Sequence, residues 1–244
     1  MNDNKTNIKI LDIMPVTAPG ILSDVMVEDM EKYLLPGTET KHVQISEGPV
    51  TIECEYEEAF AAPQVVKLAE KEYKEWGADA IFVNCFGEPG VRATRELTPI
   101  PVFGGFEPAI HMALGLGDRI GIVTVLKNVI PMIRGIVDRS GLDKRVTTIR
   151  SLNIPVLELE NFDILIDSLY SECKLAIEKD GVEVLVMGCT GIVGVDDVMK
   201  KKLLVDGYDI PVLEAGVCAM TMAEMYVRMG LKPSRLTYMK PPIK

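Results

Sequence analysis

Two cysteines in this sequence of 244 residues stand in the same unusual surroundings. The run Gly77-Ala-Asp-Ala-Ile-Phe-Val-Asn-Cys-Phe-Gly87 reads like Gly181-Val-Glu-Val-Leu-Val-Met-Gly-Cys-Thr-Gly191: a Gly, an acidic residue, an apolar stretch, then Cys85 or Cys189 and a Gly. A thiol is an acid when protonated and a base when ionised. Two thiols on opposite sides of one carbon can therefore remove a proton from one face and deliver one to the other, which inverts a stereocentre. No organic cofactor is required if nearby N–H groups hold the charge of the planar intermediate. The turns after the thiols, Phe86-Gly87-Glu88-Pro89-Gly90 and Thr190-Gly191-Ile192-Val193-Gly194, are glycine-rich and let the backbone approach a ligand closely. If each turn opens a helix, the helix N-terminus lowers the thiol pKa from about 8.5 into a range of roughly 3.5–7.5, so thiolate is expected at neutral pH.

The remaining candidates read as structural. Cys54 lies in an acidic segment, and Cys173 and Cys218 lie in helical, packing-type contexts. An odd number of widely spaced cysteines, with no export signal read at the N-terminus, predicts free thiols and a cytoplasmic protein. His42 and His111 stand apart, and there is no C-x-x-C or H-E-x-x-H, so no metal is expected. Neither a G-x-S-x-G elbow nor a Walker A loop is present, and Gly115-Leu116-Gly117 precedes a strand where a dinucleotide loop would follow one. No cofactor is expected. Thr17 and Thr124 fall at equivalent strand ends and are candidate substrate contacts through their hydroxyls.

These side chains must be positioned by an α/β framework. Apolar runs at Ile8 to Met14, Ala80 to Asn84, Pro101 to Phe103, Ile120 to Val125, Val184 to Met187 and Pro211 to Leu213 predict strands. Ile21 to Leu34, Ala59 to Trp76 and Phe162 to Lys179 carry apolar residues at helical spacing. Alternation of the two predicts parallel sheets with helices on both faces. The cysteine segments, the Ile-Pro-Val runs at 100–102 and 210–212 and the openings Ile8-Lys-Ile-Leu-Asp-Ile and Ile120-Gly-Ile-Val-Thr-Val recur in the same order. We therefore expect two pseudo-symmetric lobes, residues 1–107 with 217–244 and residues 108–216, with the active site in the cleft between them. Lys and Arg number 26 against 36 Asp and Glu, a net charge of −10 that disfavours nucleic acid and anionic membranes. No apolar run approaches the roughly 20 residues that span a bilayer, and a small-molecule substrate is expected.

The runs Gly48-Pro49-Val50-Thr51-Ile52-Glu53, Tyr56-Glu-Glu-Ala-Phe-Ala-Ala-Pro63, Asn84-Cys85-Phe86-Gly87-Glu88-Pro89-Gly90, Arg95-Glu96-Leu97, Ile122-Val123-Thr124 and Gly188-Cys189-Thr190-Gly191 resemble the aspartate/glutamate/hydantoin racemase superfamily, most closely its hydantoin racemase branch. The resemblance implies cofactor-independent racemisation between two lobes, oligomers of identical subunits, and Cys85 and Cys189 as the acid/base pair. It also makes Pro15, Thr17, Asn84, Phe86, Gly87, Thr124, Thr190 and Gly191 candidate substrate-binding residues. Two departures matter. The usual Asn-Pro-Asn-Thr turn is Met14-Pro15-Val16-Thr17 here, and the polar residues that amino-acid racemases carry after each cysteine are replaced by Phe86-Gly87 and Gly191. Phe86 and Ile192 either make a less polar pocket or serve as ordinary core packing. The expected substrate is a cyclic ureide such as a 5-substituted hydantoin or allantoin. Alternatives are an aspartate- or glutamate-type amino acid, decarboxylation or isomerisation of a small diacid, or binding without catalysis, for which two cysteines would be superfluous.

Overall fold

The computed structural model describes residues 7–242. Its first half runs β1 (Ile8–Met14), α1 (Asp24–Glu31), β2 (Thr38–Gln44), α2 (Glu55–Trp76), β3 (Ala80–Val83), α3 (Val91–Leu97), β4 (Val102–Phe103) and α4 (Phe106–Ala113). The second repeats the order: β5 (Ile120–Thr124), α5 (Val129–Arg139), β6 (Val146–Ser151), α6 (Phe162–Asp180), β7 (Val184–Met187), α7 (Asp196–Val205), β8 (Val212–Glu214) and α8 (Ala215–Arg228). Each half forms a four-stranded parallel sheet, in the orders β2-β1-β3-β4 and β6-β5-β7-β8. The internal sequence repeat is thus a repeat of topology, and the fold is a two-lobed α/β structure.

β3 and β7 are apolar and buried throughout, and β5 is buried throughout and ends in Thr124, as expected for strands with helices on both faces, while β1 carries Lys9 and the buried Asp12 among apolar residues. Side chains alternate along β1, so Ile8 and Ile10 join one apolar cluster with Phe82 and Met220, while Leu11 and Ile13 join another with Val65 and Ala69 of α2. Two strands escape a reading of apolar runs. β2, TETKHVQ, and β6, VTTIRS, are polar and partly exposed edge strands, held in register by their backbone pairing to β1 and β5.

Helix ends have local causes. The glycine that opens each cysteine segment closes the preceding helix: Gly77 after α2 and Gly181 after α6 both adopt left-handed backbone, at φ 73° and 67°. α2 begins earlier than its apolar spacing suggests because Glu55, Glu57 and Glu58 favour the positive end of the helix dipole. α1 is shorter than expected: Ser23 caps it, accepting the Met26 N–H at 3.2 Å.

The last helix of each half packs mainly on the other half's sheet. α4 lies against β7 and β8, α8 lies against β1, β3 and β4, and the two helices pack on each other. Phe106, Ala109 and Ile110 of α4 and Ala219, Met220 and Ala223 of α8 are buried in the apolar cluster that runs through both lobes. Among the described residues, no helix is long and apolar enough to cross a membrane.

Candidate active site

β3 and β7 are central strands, and the chain leaves both at the same register. The Asn84 N–H donates to the Ile13 carbonyl at 2.9 Å, and the Gly188 N–H donates to the Val123 carbonyl at 2.7 Å. The next residues are the cysteines. Cys85 and Cys189 line one cleft of about 530 Å³ at the carboxyl ends of the two sheets, the position where open α/β sheets bind ligands. The lobes meet around it. The Thr190 hydroxyl donates to the Asn84 carbonyl at 3.2 Å, and the Val156 N–H donates to Glu53 Oε1 at 2.6 Å. Beside this junction, the Gly105 N–H donates to the Cys85 carbonyl at 3.0 Å. A Cβ on Gly105 would lie 2.9 Å from Thr190 Cγ2, so the close approach of the two turns requires glycine there.

Both thiols receive N–H groups from their own turns. The Gly191 N–H points to Cys189 Sγ at 3.4 Å and the Ile192 N–H joins it, while Gly87 and Glu88 serve Cys85 in the same way. These amides favour thiolate. They are not helix termini, however, because α3 begins at Val91 and α7 at Asp196. The expectation of helix-activated thiolates is corrected by this geometry. Burial pushes Cys189 up to about 11 against the pull of its turn amides, and the Glu53 charge adds to the rise. Burial raises Cys85 further still, with the Cys189 and Glu58 charges in support. Burial thus works against thiolate at both sulfurs near pH 7, and less strongly at Cys189 than at Cys85.

Of the residues singled out in the sequence, Pro15, Asn84, Cys85, Cys189, Thr190 and Gly191 line the cleft. The other four do not. Thr17 is spent on the Gly48-Pro49 loop, its N–H and hydroxyl both donating to the Pro49 carbonyl at 2.8 and 3.1 Å. Thr124 is buried and donates to the Gly188 carbonyl at 2.9 Å, which fixes the second cysteine turn from behind. Phe86 is buried edge-on against Phe106, with ring centroids 5.6 Å apart, and Ile192 is also buried, so of the two readings open for these residues the structure supports core packing over pocket lining. Gly87 faces a separate cavity of about 520 Å³ on the far side of its turn, which His111 also lines.

The apolar wall is instead built by Val16, Ile21 and Ile52 from the first lobe and Val156, Leu159 and Leu165 from the second. Ile52 and Val156 sit in the β2–α2 and β6–α6 connections, equivalent places in the repeat. Only one charged side chain, Glu160, is among the described residues that line the cleft, and neither Lys, Arg nor His is. Among the described residues, no group of three or more His, Cys, Asp or Glu is arranged to hold a metal ion.

Known proteins share this architecture. A family model described as Asp/Glu/Hydantoin racemase matches residues 22–223. The chain is 36% identical to the hydantoin racemase of Pseudomonas sp. (strain NS671) over 81% of its own length and 77% of that protein's. It is 30% identical to the hydantoin racemase of Paenarthrobacter aurescens, over 96% of this chain and 98% of that one. The solved structure of allantoin racemase from Klebsiella pneumoniae superposes with a TM-score of 0.89 at 29% identity, covering 98% of this chain and 95% of that one. From the family match, from relatives similar over most of their length and from the repeated cysteine turns at a shared cleft, the chain belongs to the Asp/Glu/Hydantoin racemase family, a family of isomerases.

Proposed function

We propose that this protein racemises a neutral five-membered cyclic ureide, a 5-substituted hydantoin or allantoin, using Cys85 and Cys189 as the two proton-transfer groups. The observation that carries the proposal is the meeting of two equivalent cysteine turns at one cleft, one from each sheet. One thiol, ionised, removes the proton from the ring carbon. Charge moves into the adjacent carbonyl, the carbon becomes planar, and the other thiol protonates the opposite face. The first sulfur ends as thiol and the second as thiolate, so the next turnover runs from the opposite enantiomer or follows proton exchange with water.

The resting thiols make one demand on this scheme. A thiol near pKa 11 is ionised in only a small fraction of molecules at pH 7, so turnover is expected to rise with pH as Cys189 loses its proton. The charge pattern of the cleft supports a neutral substrate. A free amino acid brings a carboxylate that a Lys or Arg would meet, and none of the described residues that line this cleft is a Lys or Arg. Hydrophobic walls suit a ring with an apolar substituent.

The test is solvent deuterium uptake at the stereocentre, followed with polarimetry, for single enantiomers of several 5-substituted hydantoins, allantoin, aspartate and glutamate. Uptake with loss of optical rotation for a ureide is the expected result. Turnover of the amino acids alone, or binding of a ureide with no uptake, would refute the assignment.

A further inference from the structure

Behind Cys85 lies a chain of polar side chains that the proton transfers do not use. Asn84 is 2% exposed and lines the cleft. Its Nδ2 donates to Asp12 Oδ2 at 3.3 Å. Asp12, fully buried in β1, has the same oxygen 2.8 Å from His42 Nδ1, and His42 Nε2 is 2.9 Å from Glu31 Oε1. Both imidazole nitrogens thus face carboxylate oxygens, an arrangement that a doubly protonated ring satisfies at once. The resulting order, from surface to cleft, is Glu31, His42, Asp12, Asn84.

That order fixes which way the Asn84 amide points. Burial raises Asp12, and the His42 contact opposes that rise. In the ionised form that His42 favours, the Asp12 oxygens only accept, so Oδ2 meets the NH2 end, which also lies 3.4 Å from Met30 Sδ, and the reversed amide would set two acceptor oxygens against each other. The other end of the amide, Oδ1, then has no partner among the described residues, although it is buried. An unsatisfied buried carbonyl carries a free-energy cost that a ligand N–H removes. It belongs to the residue next to Cys85, so the N–H it accepts belongs beside the reacting carbon. In a cyclic ureide that group is the ring N–H bonded to the stereocentre.

We propose that Asn84 reads this N–H through Oδ1, and that Asp12, held by His42 and Glu31, is a positioning residue that sets the direction of the amide. This rests on the cleft being where a ureide is racemised. It adds a recognition element for one ring atom.

The experiment compares two rings in wild type, N84A and D12N: a 5-substituted hydantoin and the matching oxazolidine-2,4-dione, in which ring oxygen replaces the N–H next to the stereocentre. Both are methylated on the nitrogen between the carbonyls, so that neither ionises there. Racemisation gives kcat and KM for each, and thermal melting reports folding. The expected result is that wild type favours the N–H ring over the oxygen ring in kcat/KM by about tenfold or more beyond the preference that remains in N84A, with the difference mainly in KM. D12N, whose introduced amide can offer either end to Asn84, is expected to lose most of the same preference. Should D12N fail to fold, E31Q tests the relay from its half-exposed outer end, and a smaller loss of preference is expected. A preference unchanged in folded N84A overturns the role of Oδ1. One unchanged in folded D12N, or in E31Q where D12N does not fold, overturns the role of the relay. Failure of the wild type to racemise either ring overturns the functional reading itself, and this inference with it.

Discussion

The turns that carry Cys85 and Cys189 leave their sheets at equivalent points and offer their sulfurs the same two backbone amides, yet they sit in different fields. Beside Cys189 the perturbing carboxylate is Glu53. Beside Cys85 lie Glu58 and, across the cleft, Cys189 itself. The first turn is also the more constrained. Glu88 adopts left-handed backbone at φ 65°, its carboxylate accepts the Glu107 N–H at 2.8 Å, and Gly104 leaves room where a Cβ would strike Glu88 Cγ. Fold symmetry therefore sets where the thiols stand, while the residues around each turn set how readily it ionises. Because the charge on Cys189 opposes ionisation of Cys85, the pair favours one thiolate and one thiol over two thiolates, the state a two-face proton transfer needs.

The comparison breaks most sharply at the sulfurs. Cys85→Ala and Cys189→Ala are each expected to reduce racemisation at least about a thousandfold, since inversion needs a proton acceptor on one face and a donor on the other. Each variant keeps one thiol, so each should still exchange deuterium into the enantiomer that thiol faces. The two should show opposite enantiomer preferences. Substantial racemisation by either variant, or one shared preference, removes the two-face assignment.

Alkylation reads the difference in acidity directly. As pH rises from 7 to 10, iodoacetamide should label Cys189 before Cys85, with rates differing about tenfold or more, because the reagent reacts with thiolate. Cys173 and Cys218 are buried, each pushed up to about 12 chiefly by that burial, and should be labelled only on unfolding. Peptide mapping that finds Cys85 labelled first would reverse the order.

Carboxylates around and beyond the first turn give a pH signature of stability. Burial pushes Glu58 up to about 7 and Glu88 and Glu214 up to about 8, from 4.5. The native chain thus holds protons that the unfolded chain has released, so stability falls as pH rises from about 4.5 to about 8. His42, also raised, contributes in the same direction: its stabilisation is present below its ordinary 6.5 and is lost as pH passes its folded value. Asp180, Asp196 and Asp206 are lowered, and what they add is complete before that window is crossed. Tm is expected to be higher at pH 5.5 than at pH 8.5 by about 4 °C or more. An equal or higher Tm at pH 8.5 would show that these carboxyls do not retain their protons on folding.

The smallest effect concerns the bridge between the turns. Thr190→Val removes the hydroxyl that donates to the Asn84 carbonyl and should cost about 1–3 kcal/mol in denaturant unfolding, with a modest loss of kcat. No change in either would mean that the two turns are aligned by packing alone.

What the sequence reveals follows from what each position has to satisfy. Central strands are legible because burial on both faces leaves continuous apolar runs, whereas β2 and β6 satisfy one neighbour and water and so carry Thr, Lys and Arg. The missing edges also hid the lining, since Ile52 and Val156 lie in the connections that follow them. Cys85 and Cys189 stood out because their context occurs twice. Their ionisation did not, because a glycine-rich turn after a strand reads as a helix start, and only coordinates show α3 and α7 beginning well downstream. Thr17 and Thr124 are not symmetry mates, since Thr124 ends β5 where Met14 ends β1 and Thr17 lies three residues further on, and both have spent their hydroxyls on backbone carbonyls, a commitment that sequence spacing does not reveal.

The exchange of α4 and α8 between the sheets has a consequence for biosynthesis. Until residues 215–228 leave the ribosome, one apolar face of the first sheet, with Ile10 and Phe82, lacks the helix that covers it. The first half of the chain, though synthesised first, must wait for the last helix before its core is closed. Maturation of the cleft should therefore be a late, all-or-none event, and a nascent chain released before Ala215 is an aggregation hazard rather than a half-built enzyme.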